Sequence, residues 1–166
     1  MGAFMKLATE KGGNVKGEAT DEQHKDWILL ESMNAEINRS IAEGAQGRER
    51  RAGNTSLFDV RVVRHLDKSS LPLQAACGFG DLCPEVEIHF CTQVKNKQEP
   101  HLIYKLKDVI ITRYCFEGVE SGDPLPKEEL SLSYTQVELT QNVIDPDTGD
   151  KGGSVQYTID VGRQKA

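Results

Sequence analysis

The chain has little of what would mark a catalyst, a disulfide scaffold or a membrane protein. No segment approaches the ~20 consecutive apolar residues of a membrane span. The opening stretch "MGAFMKLATEKGG" has no basic region followed by a long apolar run, so it does not read as a secretory signal. The myristoylation pattern fails as well, because Lys6 stands where Ser or Thr is required. The expectation is a chain made in the cytoplasm, with no membrane insertion, whose export bypasses the general route and cleaves no signal peptide.

Cysteines are sparse and badly spaced for metal. Cys77, Cys83, Cys91 and Cys115 are separated by five, seven and 23 residues, which matches neither a CxxC nor a zinc-ribbon pattern. Free, mostly buried thiols are expected. His89 and Cys91 share one face of a candidate strand but fall two ligands short of a metal site.

Enzyme signatures are missing too. There is no GxSxG elbow, HExxH pair or Walker loop, and "GFGDLC" carries half of a dinucleotide-binding glycine pattern. "DPDTGD" begins like a calcium loop, yet Gly149 and Asp150 are in the wrong order and Gln156 occupies the place of the bidentate Glu. His24, beside Asp21, Glu22 and Asp26, reads as a surface turn hydrogen-bonded to its carboxylates. No catalytic residue, cofactor or metal is assigned. Aromatic residues make up 6% of the chain and its formal net charge is −6, which argues against a nucleic-acid partner.

What is present suits a β-rich domain. With 166 residues, 37% of them hydrophobic, the chain buries roughly 70% of its unfolded surface and needs no staple. Strand patterns run through "AFMKL", "WILLESMNAEIN" (Trp27 to Asn38), "SLFDVRVVRH" with Phe58, Val60 and Val62 on one face, "EVEIHFCT", "HLIYKL", "VIITRYCFE" and an edge candidate "VQYTIDV". The one helix candidate is "SSLPLQAACGFG": Ser69 or Ser70 caps it, Pro72 fits its first turn, Gly78 suits a left-handed end, and Leu73, Ala76 and Cys77 form an apolar side. Trp27, the one tryptophan, reads as a core anchor. This density of strands indicates an antiparallel sandwich or barrel.

The stretch "LSLSYTQVELTQ", Leu130 to Gln141, changes its apolar face part-way. Leu130, Leu132 and Tyr134 fall on one side of a regular strand, Val137 and Leu139 on the other. Either a bulge near Thr135 or Gln136 shifts the phase of one apolar face, or the two faces meet two environments.

Two loops carry opposed charge. Arg39 to Asn54 holds four arginines, Arg39, Arg48, Arg50 and Arg51, against Glu43 and Glu49, a net +2. "EGVESGDPLPKEE" holds Glu117, Glu120, Asp123, Glu128 and Glu129 against Lys127, a net −4. A basic arm of this kind is either a solvated charge run or a dock for an acidic surface, such as one on a second copy of the chain.

Four blocks, "VKGEATDEQHKDWI", "LDKSSLPLQAAC", "YKLKDVIITRY" and "EELSLSYTQVEL", in this order and separation, lie within a resemblance that covers essentially the whole chain. The chain resembles the haemolysin-coregulated protein (Hcp) family, the inner-tube subunit of bacterial type VI secretion. The resemblance implies a mainly β fold, a two-sheet antiparallel β-barrel with one short flanking α-helix, as a single domain over 1–166 with an extended loop at about 39–54. It implies hexameric rings stacked into a tube that is expelled from the cell, with sheath and spike proteins and small effectors as partners. An effector-binding export chaperone without tube formation is the alternative, and a small hydrolase a distant third. The arginine-rich loop and the four cysteines depart from what the family leads one to expect.

Within that frame, Arg39, Arg48, Arg50 and Arg51 are the ring-stacking candidates on the basic side. Glu117, Glu120, Asp123, Glu128 and Glu129 are those on the acidic side. Ring subunits cover a sheet both inside and against a neighbour, so the resemblance favours two environments for 130–141 and makes Val137 and Leu139 subunit-interface candidates.

Overall fold

Twelve strands and one helix follow one another in the computed structural model, which describes residues 2–41, 43–44, 46–48, 55–94, 97–118, 125–145, 148 and 150–160. Strand β1 (Gly2–Thr9) pairs antiparallel with β2 (Gly13–Val15), with β3 (Ile28–Leu30) and with β8 (Leu82–Val94). Strand β9 (Lys97–Glu117) then pairs with β8, with β10 (Lys127–Ser133) and with β11 (Gln136–Ile144). Strand β7 (Val60–His65) lies between β10 and β4 (Ser32–Asn34), and β12 (Lys151–Asp160) pairs with β11. These form a ten-stranded sheet, while β5 (Ile37–Arg39) and β6 (Thr55–Leu57) form a separate two-stranded ribbon.

The expected two-sheet barrel is therefore modified. Strands β3 and β4 are separated by Glu31 alone and carry the chain from β1 to β7, with the Glu31 N–H donating to Val63 O at 2.8 Å. That passage ties the two sides of the sheet through the chain, but ladders do not close it into a barrel among the described residues. Trp27 to Asn38, expected as one strand, is thus broken at Glu31 between β3 and β4 and again at 35–36 before β5. The sheet wraps a core that includes Met5, Ile28, Val60, Val62, Ile88, Leu106 and Leu130, all fully buried. Phe58 leaves the face expected for it: it lies between β6 and β7 and is 47% exposed.

Helix α1 (Ser70–Phe79) lies on this core through Leu73 and Ala76. It runs past Gly78 and ends at Gly80, whose φ of 66° supplies the left-handed position that a residue without a Cβ adopts without strain. Ser69 is the N-cap residue by position, but its hydroxyl makes no capping bond. Arg64 Nη1 and Asp67 Oδ1 occupy it instead, each at 2.5 Å.

The face change at 130–141 has a two-strand cause. Ser133 pairs with Ile110 and Gln136 with Lys107, so from Leu132 onward the chain keeps one register along β9 across an interruption at Tyr134 and Thr135, after a register shift between Ser131 and Leu132. Opposite that interruption Asp108 takes a left-handed φ of 50°, and Thr135 donates its hydroxyl to Asp108 Oδ2 at 3.0 Å and its N–H to Lys107 O at 3.1 Å. Both strands thus change phase together: Leu106 and Val109 are buried on one side of the kink and the other, as are Leu132 and Val137. The local irregularity, not a second environment, accounts for the pattern. Val137 and Leu139 are correspondingly 2% and 7% exposed inside the chain's own core, which corrects their assignment to a subunit interface.

Candidate functional site

The most chemically suggestive cluster joins three segments far apart in sequence. The loop between β2 and β3 places His24 against β8, where its Nε2 lies 2.9 Å from His89 Nδ1 and 3.7 Å from Cys91 Sγ. Asp21 Oδ1 contacts His24 Nδ1 at 2.7 Å and also accepts the backbone N–H groups of Gln23 and His24. At the far end Glu87 Oε1 contacts His89 Nε2 at 2.7 Å. Phe4 stacks on the His24 ring at 4.3 Å and Trp27 meets it edge-on at 4.9 Å. His24 is thus 1% exposed rather than part of a surface turn, although its expected carboxylate partner is there.

Cys91, His24 and Asp21 have the connectivity of a thiol nucleophile, its base and an orienting carboxylate. The environment works against that role. Burial pushes the Cys91 thiol up to about 12, with Asp21 and Glu99 adding to the effect, whereas a nucleophilic thiol needs the opposite shift. Among the described residues no group of three or more His, Cys, Asp or Glu is placed to hold a metal ion. All four cysteines are free, Cys83 and Cys91 buried and Cys77 and Cys115 half-buried.

The charged candidates separate into surface and core. Arg39, at the end of β5, and Arg48 are exposed, and Glu117 is exposed where β9 ends. Glu129 is half-buried and pairs with Arg113 across the β9–β10 ladder. Arg50, Arg51, Glu120 and Asp123 lie outside the described residues. Glu128 is a correction: it is 1% exposed, its Oε1 accepts the Tyr114 hydroxyl at 2.8 Å and its Oε2 lies 3.7 Å from Arg64 Nε. Leu130 and Leu132 point inward on the same strand, and the period-two alternation carries Glu128 inward with them.

The surface also carries exposed apolar groups. Leu71 and Phe79 on α1 are 74% and 76% exposed. On the β11–β12 hairpin, Val143, Val155 and Tyr157 are at least half exposed. Strand β12 is ten residues long and pairs with β11 alone among the described residues.

Residues 4–141 match the family described as type VI secretion system effector, Hcp. The chain belongs to this family. It is 29% identical over 147 residues to protein hcp1 of Pseudomonas aeruginosa, a match spanning 89% of this chain and 90% of that one. A solved structure described as a type six secretion system protein superposes with a TM-score of 0.86 at 27% identity, covering 99% of this chain and 98% of the other. A type VI secretion system effector from Yersinia pestis gives a TM-score of 0.69 at 26% identity, over 96% and 99% of the two chains. The family membership and this fold agreement hold together across nearly the whole chain.

Proposed function

We propose that this chain, as one domain, is the ring subunit of a type VI secretion inner tube. Six copies close into a ring, rings stack into a tube, and the tube leaves the cell with spike and effector proteins, driven by a sheath, without signal-peptide cleavage. The observation that carries this reading is the family match over residues 4–141. Strand β12, which pairs with β11 alone among the described residues and exposes Val155 and Tyr157, supports it physically, since an open strand edge recruits another strand unless something covers it. This edge replaces Val137 and Leu139 as the candidate ring contact.

Stacking is assigned to opposed charge. A head-to-tail contact pairs two different patches of the same subunit and repeats without limit. Arg39, Arg48, Arg50 and Arg51 face Glu117, Glu120, Asp123 and Glu129 across it, with Glu128 removed from the set because it is buried. Each exposed ion pair contributes only about 0.2 to 1 kcal/mol, and six copies around a ring act together. Light scattering tests the assembly: the expected mass is that of six 18.4 kDa chains, and a monomeric mass at micromolar concentration would reject the reading. Arg48→Glu with Arg50→Glu should leave single rings that no longer stack, and unchanged tubes would reduce the basic loop to a solvated charge run.

A further inference from the structure

The Asp21–His24–His89–Glu87 chain has more hydrogen bonds than two neutral imidazoles have protons. Its three contacts measure 2.7, 2.9 and 2.7 Å, and each needs one hydrogen. A neutral imidazole carries a single N–H, so two of them supply two. Asp21 Oδ1 already accepts two backbone N–H groups, so it faces His24 as an acceptor and His24 Nδ1 must donate. Glu87 is a carboxylate near neutral pH and has no hydrogen to give, so it too accepts and His89 Nε2 must donate. Both neutral rings would then present lone pairs to each other at 2.9 Å. The Cys91 thiol lies 3.7 Å from the same His24 nitrogen and cannot bridge the two rings.

We propose that this chain is a pH-responsive latch: it closes around one additional proton between His24 Nε2 and His89 Nδ1, pins the 16–27 loop to β8, and releases the loop when that proton is lost.

The surroundings fit a latch carrying one positive charge. Asp21 and Glu87 flank it, Glu99 acts on Cys91 through space, and Lys6 and Lys105 act on Glu87 from β1 and β9. Lys6 also sits 5.7 Å from the Trp27 ring. Within the loop, Ala19 N–H donates to Trp27 O, Asp26 N–H to Ala19 O and Trp27 N–H to His24 O, and Ala19 packs with Phe4 and Cys91. Because the closed form binds a proton that the open form gives up, closure weakens as pH rises, and the opening constant grows by up to about tenfold per pH unit.

Two measurements on the full chain decide it. Neutron diffraction near neutral pH should place hydrogen on His24 Nδ1, on His89 Nε2 and between the two facing nitrogens. Absence of any of the three would overturn the latch. Hydrogen exchange of the His24 and Trp27 amides, corrected for intrinsic base catalysis, should show opening that rises with pH. His89→Gln places a neutral amide donor opposite His24 and should flatten that dependence. If His89→Gln does not fold, Glu87→Gln keeps an acceptor while removing the charge, and should move the transition to lower pH. Opening in the wild-type chain that does not vary with pH, or a Glu87→Gln profile identical to wild type, would overturn the proposal.

Discussion

Arg64 and Glu128 face each other inside the protein, Nε to Oε2 at 3.7 Å, with neither side chain exposed. Glu128 Oε2 accepts no hydrogen bond from the described residues, while Arg64 donates to His65 O, Ser69 and Asp67 around the start of α1. The pair joins the β10 strand to the helix entrance. Removing one partner of a buried pair so that the other charge is left alone costs about 3–5 kcal/mol. Arg64→Met strands Glu128 and should lower the urea midpoint sharply, whereas Glu128→Leu leaves Arg64 paired with Asp67 and should lower it less.

Alkaline stability follows from two buried thiols and a phenol. Burial, assisted by Asp81, raises the Cys83 thiol to about 11, and burial raises that of Cys91 to about 12, both from 9.0. Burial and the bond to Glu128 raise the Tyr114 phenol from 10.0 to about 12. In each case the folded state holds its proton after the unfolded chain has lost it. Their contribution is complete below about pH 9 and is lost as pH rises toward about 12. Denaturation midpoints should fall over that window, and Cys83→Ala with Cys91→Ala should make the fall shallower.

Two glycines should respond oppositely to alanine. A Cβ on Gly17 would stand 2.3 Å from Trp27 O and 2.5 Å from Ile28 Cα, so the backbone itself must move. Gly17→Ala should destabilise by about 1–3 kcal/mol, as overpacking does. A Cβ on Gly78 meets nothing within 4 Å and its backbone is helical, so Gly78→Ala should stabilise by about 0.4–1 kcal/mol. Thermal unfolding of both variants checks the pair.

Local chemistry was readable in advance, and partners distant in sequence were not. The helix was legible because Pro72, Leu73 and Ala76 act within one segment, and only its end shifted, since Gly80 rather than Gly78 takes the left-handed conformation. The phase change at Thr135 was visible, but its cause sits on Asp108, 27 residues away. His24 looked like a surface residue because its carboxylate neighbours are local, while the contact that helps bury it comes from His89, 65 residues away. Glu128 read as a ring-stacking candidate for the same reason, since its buried partner Arg64 lies far away in sequence. "HLIYKL" and "VIITRYCFE" read as two strands, because nothing local shows that Asp108 kinks one 21-residue strand instead of ending it.

Substitutions in the β11–β12 hairpin separate core from contact surface. Val137→Asp puts a charge into the core and should yield unfolded or insoluble chain rather than a folded monomer. Val155→Glu with Tyr157→Glu acts on exposed positions and should leave the fold intact by circular dichroism while shifting the mass toward monomer. A folded monomer from Val137→Asp would reverse that assignment.

The central claim is assembly, and negative-stain electron microscopy of the purified full chain tests it most directly. At low salt the account predicts rings of six with an open centre, some stacked. At about 1 M salt, where the Debye length is about 3 Å, it predicts single rings still intact. A uniform population of featureless monomers at low salt would contradict it.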